Sequence, residues 1–276
     1  MVNLRKMSVF KKLVLILISG IIFLGIYNEK LSFFTPCYEK EDISRLLTGK
    51  NLSDDDYIHI YRQTGISPGT IKKLLKKEEY DVITQLNNLY MKKPDIKKSY
   101  ILFPMSVEEK NSRQLTPVAD VEKGDILISF NTHTFLWRHG HCAIAVEKNT
   151  VLEHISKGHK SEITDVQKWG EYPSFIVLRH KDKRAGILAA DYAAKNLSGI
   201  GYNILARKVK NNPQESKPEF SYCSHIVWQA YKAVGYDLDS NMGTFVTPEN
   251  IAQSEELEVV QIFGCNGKKY ENRLLK

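Results

Sequence analysis

The stretch GHCAIAVEKNTVLEH, residues 140–154, decides the fold. Its two apolar runs, HCAIAVE and TVLEH, are typical of strands separated by a short polar turn. Because side chains alternate across a strand, His141 and Ala143 face one side of the predicted sheet, whereas Cys142 and Ile144 face the other. The stretch therefore predicts an antiparallel hairpin with a histidine on one face and Cys142 in the core.

The register of this hairpin decides which residue assists His141. A three-residue loop at 147–149 pairs Ala143 with Glu153, which makes His141 and Glu153 diagonal neighbours about 7 to 8 Å apart. A carboxylate at that position fixes the tautomer of the imidazole and stabilises its protonated form, as the third member of a cysteine-histidine-acid triad does. A slip of one residue puts His154 in that place instead. Glu153 is the favoured partner and His154 is the alternative.

A nucleophile is predicted in YCSHIVWQAYKAVG, residues 222–235. Apolar residues recur there at three and four residue intervals, so one helical face is buried, and Cys223 lies at the start of that face. The helix dipole and the free N–H groups at a helix start favour a thiolate. The alternative is a small core residue. His225 is turned by about 200° from Cys223 on a helix and is not the predicted base.

A metal site is the other interpretation of the histidine-rich stretch. His139, His141 and Cys142 have suitable ligand chemistry, but Cys142 points away from the two histidines on an extended strand. Two histidines supply only half of the ligands of a tetrahedral site, and the remaining histidines do not have the HExxH spacing of a known metal motif. No metal and no other cofactor is predicted.

The rest of the chain predicts an α+β domain over residues 99–264. GDILISF, SFIVLRH and LEVVQIF are further strands of an antiparallel sheet, and AGILAADYAAKNL and a short segment after Thr247-Pro248 are further helices. A helical module over 38–98 precedes this domain, a proline-punctuated connector follows the module, and 265–276 is a C-terminal tail.

The N-terminal segment predicts export. Four cations precede an uncharged run from Leu13 to Asn28, and basic residues before an apolar segment keep that end in the cytoplasm. The run is short for a membrane span, but no small-x-small cleavage site follows it. We favour an uncleaved signal anchor over residues 1–30, with the catalytic domain on the extracytoplasmic side of the cell membrane. The alternative is a cleaved signal peptide and a secreted protein.

Charge and cysteine content exclude several classes. The net charge of +7 is carried by scattered lysine pairs, typical of a solvated helix face, or of attraction to an anionic wall or membrane. IYRQTGISPGTIKKLLKK resembles a helix-turn-helix, but its place after an export segment argues against nucleic acid as a partner. Four cysteines are too few for a disulfide scaffold, although a disulfide between Cys37 and Cys265 is permitted outside the cell. Nothing indicates the oligomeric state.

KGDILISF, GHCAIAVEKNTVLEH and YCSHIVWQAYKAVG together resemble the successive motifs of circularly permuted papain-like hydrolases related to the NlpC-type cell-wall peptidases, in the branch of YiiX and YebB-like proteins. Those proteins have a glycine-histidine pair at a strand start, an acid or polar residue twelve positions later, and a cysteine at a later helix start. The resemblance covers about Val121 to Phe263. The chain departs from the pattern by an additional WRH before the glycine-histidine pair and by His225 close to the cysteine.

The resemblance implies a permuted papain-like fold and an exported, membrane-tethered cysteine peptidase or amidase. Cys223 would attack an amide carbonyl, His141 would transfer the proton, and Glu153 would orient His141. The implied substrates are peptidoglycan stem peptides or related small peptides. The alternatives are a lipid-directed acyl hydrolase or acyltransferase of the same fold, a metal-dependent hydrolase, and a non-catalytic binding module.

Four further residues are expected to bind substrate. Tyr202 matches a tyrosine that precedes the cysteine helix in many of these proteins, and its hydroxyl could donate to the oxyanion. The alternative is a partly buried aromatic side chain with its hydroxyl in water. Trp137, Arg138 and His139 are expected to line the cleft, or else to form a packed cluster at a strand edge.

Overall fold

A computed structural model of the chain describes residues 8–49, 51–102, 106–134, 137–156, 158–206 and 218–276. The helices are α1 Val9–Leu31, α2 Ser44–Leu47, α3 Asp54–Thr64, α4 Pro68–Lys76, α5 Tyr80–Leu89, α6 Lys183–Tyr192, α7 Cys223–Ala233 and α8 Pro248–Ala252. The strands are β1 Ile96–Leu102, β2 Ser106–Asn111, β3 Ile126–Ser129, β4 Thr132–Thr134, β5 Trp137–Arg138, β6 His141–Glu147, β7 Thr150–Glu153, β8 Glu162–Asp165, β9 Phe175–His180, β10 Gly201–Tyr202, β11 Phe220–Ser221 and β12 Leu257–Phe263.

The main sheet has six antiparallel strands in the order β12-β9-β3-β6-β7-β8. Helix α7 packs against β6, and α6 packs against β6 and β9. All residues of β3 and β9 are buried, as expected for central strands covered on both faces. The predicted α+β class, with an antiparallel sheet packed on helices, is confirmed.

A second sheet, in the order β1-β2-β4-β5, forms where the sequence predicted a connector. Strand β1, IKKSYIL, carries two adjacent lysines and lacks the strict apolar alternation by which strands are recognised. It begins at Ile96, inside the range predicted for the helical module. A buried Glu109 of β2 binds Arg138 of β5 across the intervening strand β4.

The predicted helical module forms α3, α4 and α5, whose apolar faces join the core of the main sheet. Ser53 caps α3 with a capping box, and Ser67 caps α4. Lys73 of α4 makes ion pairs with Asp120 and Glu122, next to the main sheet. The predicted tail is packed as well, since the carbonyl of Leu275 accepts a hydrogen bond from the N–H group at position 69.

Helix α1 corresponds to the predicted anchor. Within the described chain, no helix is both long and apolar enough to cross a membrane, so the predicted span is not supported. The uncharged run from Leu13 to Asn28 is shorter than the roughly 20 residues that a span needs. Large apolar side chains of α1, from Val9 to Phe23, are exposed.

Candidate active site

The hairpin of β6 and β7 places an acid on His141. Ala143 pairs with Glu153, as predicted, although the hairpin has a two-residue turn and an irregularity between Ala145 and Glu147 in place of the predicted three-residue loop. His141 Nε2 lies 2.8 Å from Glu153 Oε2, and both side chains are buried. His141 and Glu153, which the sequence predicted to be diagonal neighbours, are thus joined by a direct hydrogen bond.

The thiol of Cys223 completes a three-residue arrangement. Cys223 is the first residue of α7, and the side chain of Tyr222 before it makes no capping hydrogen bond. The thiol lies within hydrogen-bonding reach of His141, and the interaction between the two shifts the pKa of each. Because Nε2 of His141 faces Glu153, Nδ1 is the atom left for Cys223. The structure therefore brings together all three residues of the predicted triad.

The electrostatics of the three residues favour a charged pair. Burial opposes protonation of His141, but hydrogen bonds to Cys223 and Glu153 and the negative charges of both raise its pKa to about 10. Burial also opposes the thiolate, yet the hydrogen bond and charge of His141 lower the pKa of Cys223. A thiolate beside an imidazolium is the reactive form of a cysteine nucleophile.

Two residues that sequence reasoning missed support this pair. The indole of Trp169 stacks on the imidazole of His141, with ring centroids 5.3 Å apart and planes 14° apart. The hydroxyl of Thr164, on β8, donates to the second carboxylate oxygen of Glu153. Both residues come from a segment beyond the hairpin, and no local pattern links them to His141. Together they hold the imidazole and the carboxylate in place.

The glycine before His141 is required by close packing. Gly140 has a φ of +75°, and a Cβ atom there would lie 2.5 Å from the carbonyl oxygen of Ser129. Its N–H group donates to the carbonyl of Thr132. Only glycine accommodates both the positive φ and the close approach, which accounts for the glycine-histidine pair of the motif.

A pocket of about 310 Å³ opens onto the thiol. Its lining residues are Trp137, His139, Gly140, Tyr202, Ile204, Leu205, Tyr222, Cys223, Ser224, Phe245, Val246, Thr247 and Pro248. None of these described residues is aspartate, glutamate, lysine or arginine. The volume is within the range of about 300 to 1,000 Å³ that is typical of small-molecule sites. The reactive sulfur thus faces a largely apolar space.

Three of the four predicted substrate-binding residues line this pocket, namely Trp137, His139 and Tyr202. Burial raises the pKa of Tyr202, so its hydroxyl stays protonated and can donate a hydrogen bond. His139 is held by Thr134 and by its own neighbour, with Nε2 3.0 Å from the threonine hydroxyl and Nδ1 2.8 Å from the carbonyl oxygen of Gly140. The ring of His139 is therefore fixed in position and lines the pocket.

Arg138 does not line the pocket. Its guanidinium is buried and lies 2.8 and 3.2 Å from the two carboxylate oxygens of Glu109. Side chains alternate along β5, so Trp137 and His139 face the pocket while Arg138 points to the opposite side. We conclude that Arg138 fixes the position of the strand that carries Trp137.

The two other histidines considered from the sequence, His154 and His225, lie outside the pocket. His154 is buried beyond the end of β7, and its ring meets the edge of Tyr202 with centroids 5.0 Å apart. His225 is stacked between Tyr222 and Trp228, and its Nδ1 lies 2.9 Å from the hydroxyl of Ser221. Neither histidine is among the pocket-lining residues.

The structure also bears on the other cysteines and on the metal-site alternative. Cys142 is fully buried, and its burial raises the pKa of the thiol well above its ordinary value. All four cysteines are free, so the permitted bond between Cys37 and Cys265 is not formed. In the described ranges, no group of three or more histidine, cysteine, aspartate and glutamate side chains is arranged to hold a metal ion.

The histidine, the acid and the cysteine follow one another along the chain on an antiparallel sheet, with the cysteine at a helix start, which is the order that the resemblance to permuted papain-like hydrolases implies. A family model described as lipoprotein N-acylation protein, LnsA-like, matches residues 96–251. The match covers more than half of the 276 residues and includes every residue of the site, and the chain belongs to this family.

The family supports the resemblance to papain-like, NlpC-type proteins in general, but not the YiiX and YebB-like branch. No curated protein matches the chain. The family description points to an acyl group and a lipoprotein, and it does not support the predicted action on peptidoglycan of the cell wall.

Proposed function

We propose that this protein transfers an acyl group through a thioester on Cys223. The family description, lipoprotein N-acylation, supports an acyl group as the transferred unit and an amine as the acceptor. The observation that carries the proposal is the position of the paired thiol at the floor of a pocket whose described lining has no acidic or basic side chain other than a neutral histidine. A hydrocarbon chain fits such a lining better than a charged peptide does.

The first step forms the thioester. The Cys223 thiolate attacks the carbonyl carbon of an ester in a lipid, and a carbon–sulfur bond forms. The carbon–oxygen bond to the leaving group breaks, and His141 gives its proton to the departing oxygen. The developing oxyanion lies near the uncapped N–H groups at the start of α7, and the Tyr202 hydroxyl is a second donor.

The second step uses the same residues in reverse. The nitrogen of an acceptor amine attacks the thioester carbonyl, and neutral His141 removes its proton. A carbon–nitrogen bond forms, the carbon–sulfur bond breaks, and the thiolate and imidazolium are restored. Glu153 stabilises the imidazolium in both steps and touches no substrate, which makes it a positioning residue.

The peptidase function expected from the resemblance is the weaker alternative. Stem peptides carry carboxylates and amines, for which this pocket offers no ion-pair partner among its described lining residues. The same triad could in principle cleave an amide, because the attack on the carbonyl is the same chemistry. The choice between acyl donor and peptide therefore depends on the pocket and on the family.

We also propose that the protein works at a membrane, on its extracytoplasmic side. The supporting observation is helix α1, which is apolar around its described circumference and exposed along most of its length. A helix that is apolar all round is normally buried in protein or lipid. The basic residues before it support the orientation.

The test is detection of the acyl-enzyme by intact mass spectrometry. Purified full-length protein is incubated with phospholipid vesicles, and a mass gain equal to one acyl group is expected on the peptide that contains Cys223. Neutral hydroxylamine should remove it, because it cleaves thioesters. Cys37→Ala, which removes an exposed cysteine elsewhere, should still form the adduct, whereas Cys223→Ala should not.

Other outcomes point elsewhere. Cleavage of purified muropeptides without an acyl adduct would support the peptidase. Ligand binding without turnover would support a binding module. Activity that survives Cys223→Ala and is lost to chelators would contradict the thiol mechanism altogether.

A further inference from the structure

Large apolar side chains are exposed at the mouth of the pocket. Trp137, Ile204, Leu205 and Phe245 line the pocket and are also exposed to solvent. They come from three separate segments of the chain, so their position around one opening is a product of the fold. We call these four residues the apolar rim. Single exposed apolar residues are ordinary, but a cluster of them marks an interaction surface.

A further exposed apolar residue lies in the loop that carries Phe245. Met242 is three positions before Phe245 and is 85% exposed, the highest value among the large apolar side chains of the described residues. Its φ of +52° is unusual for methionine. The N–H group of Val246 donates to the Tyr222 hydroxyl, which ties this loop to the residue before Cys223.

The chemistry of the rim and pocket favours lipid as the occupant. The rim leads directly into the pocket, so a hydrocarbon chain that enters between these side chains reaches the thiol without passing an acidic or basic residue of the described lining. Tryptophan, as found at position 137, is enriched where membrane and water meet. The rim thus has the composition of a surface that enters the boundary layer of a bilayer.

A second observation connects the end of α1 to the strands that carry Trp137. The chain leaves α1 at Leu31, and the carbonyl of the next residue, Ser32, accepts a hydrogen bond from Asn131 at 2.7 Å. Asn131 directly precedes β4, which pairs with the strand that carries Trp137. The end of α1 is therefore fixed to the base of the hairpin that bears Trp137.

We infer that the apolar rim inserts into the boundary layer of a lipid bilayer, so that an acyl chain passes from the bilayer into the pocket without crossing water. This inference rests on the proposed acyl transfer for the identity of the chain. It concerns a surface of the folded domain, separate from attachment through α1.

The chain has a built-in reporter for this surface. Of its three tryptophans, Trp137 is 58% exposed, whereas Trp169 is 1% and Trp228 is 2% exposed. The full-length protein is bound to vesicles of phosphatidylcholine and phosphatidylglycerol, with or without bromine on the acyl chains near the headgroup. We expect the emission to shift to shorter wavelength and the brominated chains to quench it. Trp137→Phe should abolish the lipid-dependent quenching.

A matched pair of variants tests whether the rim causes the insertion. Leu205 is 70% exposed in the rim, and Leu188 is 45% exposed on α6 and does not line the pocket. Leu205→Asp should lower the quenching of Trp137 by about half or more, because a carboxylate opposes entry into the boundary layer. Leu188→Asp should leave the quenching unchanged. Circular dichroism confirms that each exposed-site variant is folded.

Three results would overturn the inference. One is a Trp137 that stays open to aqueous iodide, and is not quenched by brominated chains, in protein bound to vesicles. Another is a spectral shift that depends on protein concentration and needs no lipid, which would assign the rim to a second copy of the chain. The third is equal quenching in wild type and Leu205→Asp.

The two proposals fail separately. An acyl adduct on Cys223 with no quenching of Trp137 would remove the docking surface and leave the acyl transfer intact. Quenching of Trp137 with no adduct would leave a lipid-binding surface on a protein with another function.

Discussion

His141 and His154 are both buried at the same hairpin, yet the pKa of His141 is raised and the pKa of His154 is lowered. Hydrogen bonds to Cys223 and Glu153 raise the pKa of His141 to about 10 against the effect of burial. At His154 the effect of burial is the largest one and lowers the pKa. A buried histidine is therefore a cation only where anionic partners are in direct contact.

The surroundings of the two rings differ in the same way. His141 has a carboxylate 2.8 Å from one nitrogen and the thiol at the other, with Trp169 stacked on its face. Neither ring nitrogen of His154 has a hydrogen-bond partner in the described part of the chain, and an aromatic ring meets it edge-on. The first ring is built to hold and move a proton, and the second fills space behind Tyr202.

The largest effect is expected from His141→Gln. This change removes the proton carrier and also the cation that stabilises the Cys223 thiolate. We expect the rate of acyl-adduct formation to fall by about 10⁴ fold or more. The measurement is the time course of the adduct by mass spectrometry, with circular dichroism to show that the variant is folded. A loss of less than about tenfold would mean that another residue activates the thiol.

Glu153→Gln is expected to have the next largest effect. The amide keeps the shape of the carboxylate but loses its charge, so the imidazolium is less stable and the rate falls by on the order of 10 to 10⁴ fold. Substitution by aspartate should restore part of the activity if the carboxylate reaches the imidazole. Full activity in Glu153→Gln would show that the charge of this residue is not needed.

The pH profile provides a separate readout for Glu153. In the wild type, activity should rise as pH increases through the lowered pKa of the Cys223 thiol, and fall as pH increases through about 10, where His141 loses its proton. Without the carboxylate, the pKa of His141 falls, because the imidazolium loses an anionic partner. The alkaline limb of the Glu153→Gln profile should therefore move to lower pH. A purely structural role would lower the rate without moving that limb.

The thiols of Cys223 and Cys142 differ in the same way as the two histidines. Cys223 has His141 as a partner and a lowered pKa, whereas burial without a cation raises the pKa of Cys142. At neutral pH, iodoacetamide should alkylate Cys223 faster than Cys142 by on the order of a hundredfold, since the thiolate is the nucleophile. Peptide mass spectrometry after short labelling measures both rates in one sample. Faster labelling of Cys142 would contradict the assignment of the nucleophile.

Local patterns predicted much of this site because its central residues lie in regular elements. Alternation along β6 and β7 placed His141 beside Glu153, and helical periodicity placed Cys223 at a helix start. The same alternation, applied to Trp137, Arg138 and His139, would have separated Arg138 from its neighbours.

Other features left no local signal. Trp169 and Thr164 reach His141 and Glu153 through tertiary packing. The second sheet was missed because β1 has lysines where an apolar alternation was sought. The apolar lining of the pocket also depends on loops that meet only in the folded chain, whereas the peptide substrate was implied by the family resemblance.

The smallest effect is expected from His154→Phe, which tests most directly whether His154 differs in role from His141. Phenylalanine keeps an aromatic ring against Tyr202 and removes two nitrogens that make no hydrogen bond within the described chain. Because the neutral form of His154 is the stable one, no charge is lost, and the rate of adduct formation should stay within about threefold of the wild type. His154→Gln should cost more through packing and should show a lower melting temperature. If His154→Phe instead abolishes the reaction in a folded protein while Glu153→Gln is tolerated, then His154 replaces Glu153 as the partner of His141. The two histidines would in that case have to approach each other during the reaction, which the pairing of Ala143 with Glu153 does not permit without a shift of the hairpin register.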